Sequence, residues 1–516
     1  MNKILPFFIW INFIFWFALS TSWGGEARHG IGLNKFDLFL QYLGQASGGD
    51  GSPAYREVTR AMAKKAIGDA KNLGVSYLRV SVMGYFPIAY GDKGSLDLWR
   101  SDEPAYWKVM DQMMADLDAA GIQLIPVFVW NKVQLPALVQ ETVADLLTNK
   151  DSKSYQLLTT YTAQFISRYK SRPTVLFYEL TNELNLDADI DIIERCKKEF
   201  AFKRCEPIAN YSTAQMIEFT SRFAALIRNF DSSRLISSGF SVPRPAAEGL
   251  RRKPEWATGD VGRPADNMSN FEKNLLEIHK NIDIVSVHLY PLRGKPRFGE
   301  DEFVLLQKLK QITDKAGKKL FVGEFGGPNG AEIGDDSFMD KMIAKIEAID
   351  VPYSAPWGWE FYQKATYSTR DTDATVFAVE PGYSDRIMGV LKAANYRLGQ
   401  QIPPHTPKDQ TPPVLVLTWP LPCQAIKGKQ LVHATASDDL SGISRVEFTL
   451  GDTRNFSVTK VPFQWELDTS DLQPGEYSLQ AKAIDRAGNA ASVKRSVYVN
   501  QPQQVAACLA NLQTAK

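Results

Sequence analysis

Apolar positions in the first 400 residues follow two alternating patterns. Short, almost continuously apolar runs, such as residues 175–180, are typical of strands buried on both faces of a parallel sheet. Longer segments between them carry apolar residues at helical spacing. One example is residues 103–120, where Gly121 stands at the position of a C-cap. The alternation predicts eight strands, each followed by helix.

The predicted fold is an α/β (β/α)8 TIM barrel spanning residues 26–397. Its predicted strands are 30–34, 77–82, 123–129, 175–180, 235–238, 284–288, 320–324 and 352–359. Its predicted helices are 55–73, 103–120, 138–147, 155–169, 213–229, 270–280, 301–315, 336–349 and 384–396. A doubly wound open sheet is the alternative, but it usually has a G-x-G-x-x-G turn after its first strand. The glycines after Asn34 do not form that pattern.

The pattern changes after residue 397. Residues 398–412 are rich in proline and predict an extended linker. Residues 413–500 have short alternating runs separated by turn signals, which predicts a small all-β sandwich of the immunoglobulin-like type, and 501–516 form a C-terminal tail. The sandwich aromatics favour core packing over sugar binding, and therefore a spacer or stabilising role: Phe448, Phe463, Trp465, Tyr477 and Tyr498.

The N-terminus has a targeting pattern. Lys3 precedes a long apolar run, and the small residues Ala18 and Ser20 offer a cleavage point, so residues 1–22 predict a signal peptide. An uncleaved membrane anchor is the alternative. No later segment approaches spanning length, so we expect a soluble mature chain that is secreted, periplasmic or extracellular. The formal charge of +1 gives no indication of a nucleic-acid partner.

Four cysteines fit an exported protein: Cys196, Cys205, Cys423 and Cys508. Pairing Cys196 with Cys205 and Cys423 with Cys508 is the simplest of three connectivities. Free buried thiols are the alternative. A zinc site is disfavoured because neither a CxxC spacing nor nearby histidines accompany the cysteines.

Two predicted strands end in a glutamate. Glu183 follows the fourth strand, and Glu324 ends the seventh between Gly323 and the sequence Phe325-Gly326. Active sites of barrels lie at the C-terminal ends of their strands. Either residue alone could be a solvated loop residue or a helix cap. Together they are the two carboxylates that glycoside hydrolysis needs.

Other strand ends carry polar and aromatic residues that complete a family resemblance. They are Arg79, Trp130, Asn131, Asn182, His288, Tyr290, Trp357 and Trp359. With these motifs the barrel resembles the clan A retaining glycoside hydrolases, most closely family 5, the cellulase and mannanase family. Residues 485–489, DRAGN, resemble a hairpin of bacterial immunoglobulin-like modules. Many family 5 enzymes have histidine after the third strand, where this chain has Trp130-Asn131.

The resemblance implies a role for each residue of the site. Glu183 would be the acid/base, its pKa raised by like charge, and Glu324 the nucleophile, its pKa held down by a cation and hydrogen bonds. Their carboxyl groups would lie about 5 to 5.5 Å apart. Arg79 and Tyr290 would lie against Glu324, and Asn182 would bind the sugar 2-hydroxyl.

The remaining site residues would bind or orient the sugar. Trp359 would form the floor of the sugar site, and His288 would orient the site. Further candidates for the pocket lining are Asn34, Trp130, Asn131, Trp357 and Phe361. Inserts at 185–211 and 240–270 would form cleft walls. The structural alternatives are an ion pair for Arg79, a packed ring for Tyr290, an N-cap for Asn182 and a core position for Trp359.

The sequence therefore predicts a secreted retaining β-glycosidase acting within β-linked mannan or glucan chains. We expect a monomer with no metal or organic cofactor, whose partner is a polysaccharide or oligosaccharide substrate. The alternatives are an exo-β-glycosidase or transglycosylase on the same barrel, and a polysaccharide-binding protein without turnover.

Overall fold

The computed structural model describes residues 30–46, 49–83, 96–199, 205–254, 263–292, 296–326, 337–360, 379–399, 409–452 and 454–514. The predicted signal peptide lies outside these residues, as do Phe361 and most of the predicted linker.

Eight parallel strands form one sheet in chain order, as the sequence predicted. They are β1 (Leu33–Asn34), β2 (Tyr77–Ser81), β3 (Gln123–Val129), β4 (Tyr178–Thr181), β5 (Ile236–Ser237), β6 (Ile284–Leu289), β7 (Lys319–Phe325) and β8 (Tyr353–Pro356). The ring closes beside β1 and β8, where Gly32 N donates to Ser354 O at 2.8 Å. This arrangement is the predicted (β/α)8 barrel.

Helices cover the outside of the ring. They are α1 (Leu38–Leu43), α2 (Pro53–Asn72), α3 (Asp97–Ser101), α4 (Glu103–Ala120), α5 (Gln134–Val139), α6 (Val143–Thr148), α7 (Lys153–Tyr169), α8 (Ile192–Glu199), α9 (Thr213–Phe230), α10 (Ala247–Arg252), α11 (Met268–Ile278), α12 (Glu302–Lys315), α13 (Ser337–Ala348) and α14 (Asp385–Leu398). Their apolar faces and the outward faces of the strands form one large core. A second cluster, including Tyr77, Phe177 and Phe321, fills the inside of the ring.

The helix predicted over 138–147 is wrong in one respect, because the structure has two short helices there. Gln140 has a left-handed backbone, with φ of 56°, which ends α5. Thr142 and Asp145 then form a capping box that starts α6. Strand β4 also begins three residues later than predicted, at Tyr178, although Val175 still forms a single bridge to Leu124.

The C-terminal residues form two facing β-sheets. The strands are β9 (Val414–Trp419), β10 (Ala425–Ile426), β11 (Lys429–Ser437), β12 (Ile443–Leu450), β13 (Arg454–Val458), β14 (Phe463–Asp468), β15 (Gly475–Asp485) and β16 (Ala490–Val499). One sheet has the order β10-β16-β15-β12-β13 and the other β14-β11-β9. Phe448, Phe463 and Trp465 lie in the core between them. In the region predicted as a tail, Val505–Thr514 form a helix, α15.

The sandwich contacts the barrel through α2. Ala54, Val58 and Met62 of this helix pack against Val416 and Leu421 of the sandwich. Leu509 of α15 packs against the same cluster. The α2 helix is therefore shared between the two hydrophobic units.

Both predicted disulfides are present in the structure. Cys196 pairs with Cys205 in the insert after β4, and Cys423 pairs with Cys508, joining the sandwich to α15. Within the described residues, no helix combines the length and apolar character needed to cross a bilayer.

Candidate active site

Glu183 lies immediately beyond the end of β4. Its backbone is left-handed, with φ of 50°, and its N–H donates to Gly239 O at 2.8 Å. Gly239 itself has φ of 73°, and a Cβ atom there would lie 1.7 Å from Thr181 O. A bare glycine backbone after β5 therefore lets the two strand ends approach closely and fixes the direction of Glu183.

Arg79 of β2 is buried among four polar side chains. Its guanidinium donates to Glu324 Oε1 at 2.9 Å, Glu179 Oε1 at 2.5 Å and Asn34 Oδ1 at 3.0 Å. Nη2 donates to Asn182 Oδ1 at 2.7 Å. Because its exposed fraction is 0%, these contacts replace water around the cation. Arg79 therefore connects β1, β4 and β7 and holds a positive charge against Glu324.

His288 connects the two predicted catalytic carboxylates. Its Nδ1 lies 2.8 Å from Glu183 Oε1 and 3.5 Å from Glu324 Oε2. A carboxylate oxygen of each glutamate and a ring nitrogen of His288 all lie within 4.8 Å of one another. Tyr290 O–H donates to the same Oε2 of Glu324 at 2.8 Å. The two strand-end glutamates therefore meet across the mouth of one barrel.

The two carboxyl groups differ in exposure but not in the direction of their pKa shifts. The side chain of Glu183 is 33% exposed and that of Glu324 is 6% exposed. Burial raises the pKa of Glu183, with a smaller contribution from Asp187. Burial also raises the pKa of Glu324, although Arg79 and the Tyr290 hydroxyl oppose it. The expectation of a lowered pKa for Glu324 is thus wrong, because desolvation exceeds the effect of its donors.

His288 is neutral near neutral pH, because burial lowers its pKa to about 4. Gly323 leaves space for the His288 ring. A Cβ atom at position 323 would lie only 3.0 Å from His288 Nε2. A neutral imidazole can donate from Nδ1 to Glu183 without adding a second cation beside Arg79.

Sequence reasoning missed Glu179 and misplaced Asn34. Glu179 is fully buried in β4 and accepts hydrogen bonds from Arg79 and, at 2.7 Å, from Ser237 Oγ. A charged residue inside an apolar strand was the available signal. Asn34 was expected to line the pocket, but it is 0% exposed. Its Nδ2 donates to Gly323 O at 2.7 Å and Ala355 O at 2.9 Å, so it joins strands inside the barrel.

Three aromatic rings stack at the ends of β1, β3 and β8. The Phe36 centroid lies 5.4 Å from that of Trp130 and 5.2 Å from that of Trp357. The Arg79 guanidinium lies 4.5 Å from the centre of the Trp130 ring. Trp357 is the most exposed of the three rings. This aromatic stack of Phe36, Trp130 and Trp357 gives the barrel mouth an apolar wall.

The prediction that Trp359 forms the floor of the sugar site is wrong. Trp359 is 0% exposed, and its indole N–H donates to Ala66 O of α2 at 2.9 Å. Because β8 ends at Pro356, Trp357 and Trp359 lie beyond the strand. The inward–outward alternation of strand side chains therefore does not determine where these two residues point. Trp357, two residues earlier, lies at the mouth instead. Asn131, also predicted to line the pocket, accepts from Val133 N at 3.1 Å and forms a turn after β3.

Two groups of side chains in the described residues have the spacing to hold a cation. One is Glu183, His288 and Glu324, and the other is Asp409, Asp438 and Asp439 in the sandwich. In the first group, Arg79 and Tyr290 already donate to both oxygens of Glu324.

Comparison with protein families gives two matches. The model described as "Cellulase (glycosyl hydrolase family 5)" matches residues 49–363, which is more than half of the chain. The model described as "Bacterial Ig domain" matches residues 413–481. Comparison with curated proteins gives no match.

Several solved structures are similar to this chain. The endo-β-1,4-mannanase from Thermotoga petrophila is 15% identical with a TM-score of 0.48, covering 92% of this chain and 99% of that one. The endo-1,4-β-mannanase from Rhizomucor miehei is 16% identical with a TM-score of 0.48, covering 73% and 96%. An endo-β-1,4-mannanase double mutant from Cellulomonas fimi is 14% identical with a TM-score of 0.39, covering 92% and 95%.

Proposed function

Because the chain belongs to the cellulase family, glycosyl hydrolase family 5, and is a glycoside hydrolase, we propose that it cleaves β-linked mannan or glucan with retention of configuration. The observation that carries this proposal is the approach of Glu183 and Glu324, since one carboxyl oxygen of each lies within 4.8 Å of the other. Retaining glycosidases need their carboxyl groups about 5 to 5.5 Å apart, whereas inverting ones need about 6.5 to 9.5 Å.

In this mechanism Glu324 attacks the anomeric carbon and Glu183 protonates the departing oxygen. The Glu324 carboxylate forms a glycosyl ester, and Glu183, now ionised, takes a proton from the water that hydrolyses the ester. Arg79 favours the ionised form of Glu324. The greater exposure of Glu183 suits a group that exchanges protons with water and with the leaving group.

The other side chains of the site bind and orient the sugar. Since Asn182 Oδ1 accepts from Arg79, its NH2 group is the end that can donate to a sugar hydroxyl. Trp357, supported by Phe36 and Trp130, offers an aromatic face on which the C–H face of a sugar ring packs. His288 orients Glu183 through its Nδ1 contact.

We propose endo action by a secreted monomer. The inserts after β4 and β5 follow two strands of the catalytic mouth, where loops build the walls of a cleft. The Cys196–Cys205 and Cys423–Cys508 disulfides suit an oxidising compartment outside the cytosol. An exo-acting enzyme on the same barrel is the second candidate.

The test is hydrolysis of galactomannan, carboxymethyl-cellulose and mixed-linkage β-glucan by the purified chain. We expect release of reducing ends from at least one, with a ladder of oligosaccharides by chromatography. Release of monosaccharide or disaccharide alone would favour exo action. NMR of the first product of a β-linked substrate should show the β anomer, and an initial α anomer would refute retention.

Replacing Tyr290 with phenylalanine is expected to move the acidic limb of the kcat/KM profile to higher pH. The Tyr290 hydroxyl lowers the pKa of Glu324, which burial raises, so its loss lets that pKa rise further. Glu324 must be ionised to attack, and losing a hydrogen bond to a charged group, worth about 1.5 to 3 kcal/mol, should lower kcat/KM by about 10- to 100-fold. The measurement is kcat/KM from pH 3 to 9.

Tyr178→Phe is the matched control for this variant. Its hydroxyl also donates to a carboxylate, Asp231 Oδ2, at 3.0 Å, but on the outer side of the barrel. This variant should keep the profile of the natural enzyme. An acidic limb that does not move in Tyr290→Phe would contradict the assignment of Glu324.

A further inference from the structure

Four buried polar side chains connect the sandwich to the segment that follows β8. Ser437 Oγ of β11 donates to Asp69 Oδ1 at 2.8 Å. Lys65 Nζ donates to Asp69 Oδ2 at 2.6 Å and to Glu360 Oε2 at 3.1 Å. The exposed fractions of these residues lie between 1% and 6%. A continuous polar chain therefore runs from the sandwich, through α2, to Glu360.

The segment from Trp357 to Glu360 is held by contacts on several sides. Trp359 N donates to Asn34 O at 2.7 Å, and its indole donates to Ala66 O. The Glu360 carbonyl accepts from Lys35 Nζ at 2.9 Å. Trp357 N donates to Phe325 O at 2.8 Å. The Trp357 ring therefore belongs to a segment whose later residues, Trp359 and Glu360, are hydrogen-bonded to α2.

Glu360 is an unusual residue for its backbone. Its φ of 41° lies in the left-handed region, where glycine is favoured. Glutamate has no backbone preference for this conformation, but its carboxyl group accepts a hydrogen bond from Lys65. The ion pair accounts for a side chain at a position that the backbone would otherwise leave to glycine.

Stability alone does not explain this chain of charges. Burying an ammonium and two carboxyl groups is costly, and apolar residues of similar volume can often replace such groups without loss of stability. In some proteins, however, a buried polar or ionic group selects one arrangement among several. The series of polar contacts begins at Ser437 in the sandwich, outside the barrel, and ends at Glu360, close to the aromatic stack.

We propose that Ser437, Asp69, Lys65 and Glu360 are positioning residues, through which the docked sandwich fixes Trp357 for sugar binding. This proposal rests on the proposed function, because it assigns Trp357 to the substrate cleft. The sandwich is then a part of the binding machinery of the enzyme, although it touches no substrate.

The test uses full-length Ser437→Ala and Lys65→Met, assayed on the soluble polysaccharide that the natural enzyme hydrolyses fastest. KM should rise about three- to tenfold, while kcat stays within about twofold, because the chain acts on sugar binding rather than on the carboxylates. In a Trp357→Ala background the same substitutions should raise KM no further, since their effect passes through that ring.

Ser470→Ala is the matched control. Its hydroxyl also donates to an aspartate of the sandwich, Asp468 Oδ1, at 2.6 Å, but it is exposed. It should leave KM unchanged. If Lys65→Met does not fold by circular dichroism, Ser437→Ala, which loses a single oxygen, carries the test.

Unchanged KM in Ser437→Ala, or KM increases that multiply in the Trp357→Ala background, would overturn the proposal. Failure of the proposed function would look different, because the natural enzyme would release no reducing ends. The same variants are then compared by calorimetric titration with mannohexaose and cellohexaose. Weaker binding in Ser437→Ala than in Ser470→Ala would support the proposal, and equal binding, or none by the natural chain, would overturn it.

Discussion

Glu324→Ala is expected to lower kcat/KM on polysaccharide by about 10⁴-fold or more. Without this carboxylate no covalent glycosyl intermediate forms, and Arg79 and Tyr290 lose the oxygens to which they donate. Arg79 keeps its contact with Glu179, so the buried cation stays paired and the fold should survive. Reducing-end assays with circular dichroism as a folding check measure both parts of the expectation.

Azide tests the role of Glu324 more sharply. In Glu324→Ala the anion can occupy the vacated space and attack an aryl β-glycoside directly, forming the carbon–nitrogen bond as the aryl oxide leaves. The product should be the α-glycosyl azide. Glu347→Ala removes a carboxylate that pairs with Arg397 at 2.8 Å on the outside of the barrel, and it should retain full activity. A β azide from Glu324→Ala would contradict the nucleophile assignment.

Glu183→Ala is expected to lower kcat on polysaccharide by about 10²- to 10⁴-fold, the usual contribution of a positioned general acid or base. The loss should depend on the leaving group. From a 2,4-dinitrophenyl β-glycoside, the dinitrophenolate departs without protonation. Formation of the glycosyl ester should therefore remain fast, while its hydrolysis becomes slow. Stopped-flow measurement should therefore show a burst of dinitrophenolate.

Azide should also restore turnover of Glu183→Ala, but with the opposite stereochemistry. Here the anion attacks the glycosyl ester on Glu324 and yields the β-glycosyl azide. An equal loss of activity on activated and natural substrates, with no burst, would show that Glu183 is not the acid/base. The two alanine variants thus control each other, since only the assigned roles give the α azide from Glu324→Ala and the β azide from Glu183→Ala.

The barrel could be predicted from sequence because its signals are local. Each strand is a short apolar run, and a helix such as α4 carries its own start and stop at Asp102 and Gly121. The same reasoning placed Glu183 and Glu324 at one mouth, since all strands of a parallel barrel end on the same side. The break between α5 and α6 was also locally encoded, in Thr142 and Asp145, but the apolar spacing around it obscured the capping box.

The rest depends on contacts between distant parts of the chain. Trp357 and Trp359 are two residues apart and chemically identical. Trp359 is buried and donates to the carbonyl of Ala66, which is distant in sequence, whereas Trp357 lies at the cleft. The direction of the Glu324 pKa shift depends on how completely the barrel excludes water from it. In the sequence, the apolar face of α2 that contacts the sandwich has the same spacing as any amphipathic helix, so the domain contact could not be predicted from it.

Under the proposed role of Glu183 as the acid/base, its left-handed backbone places catalysis and thermal tolerance in opposition. A non-glycine residue in this region costs roughly 1 to 2 kcal/mol that glycine would avoid. Laboratory evolution that rewards heat resistance alone would accordingly favour glycine at this position and produce a sturdier but inactive protein. Screens for durable variants of this enzyme should retain a turnover assay in every round.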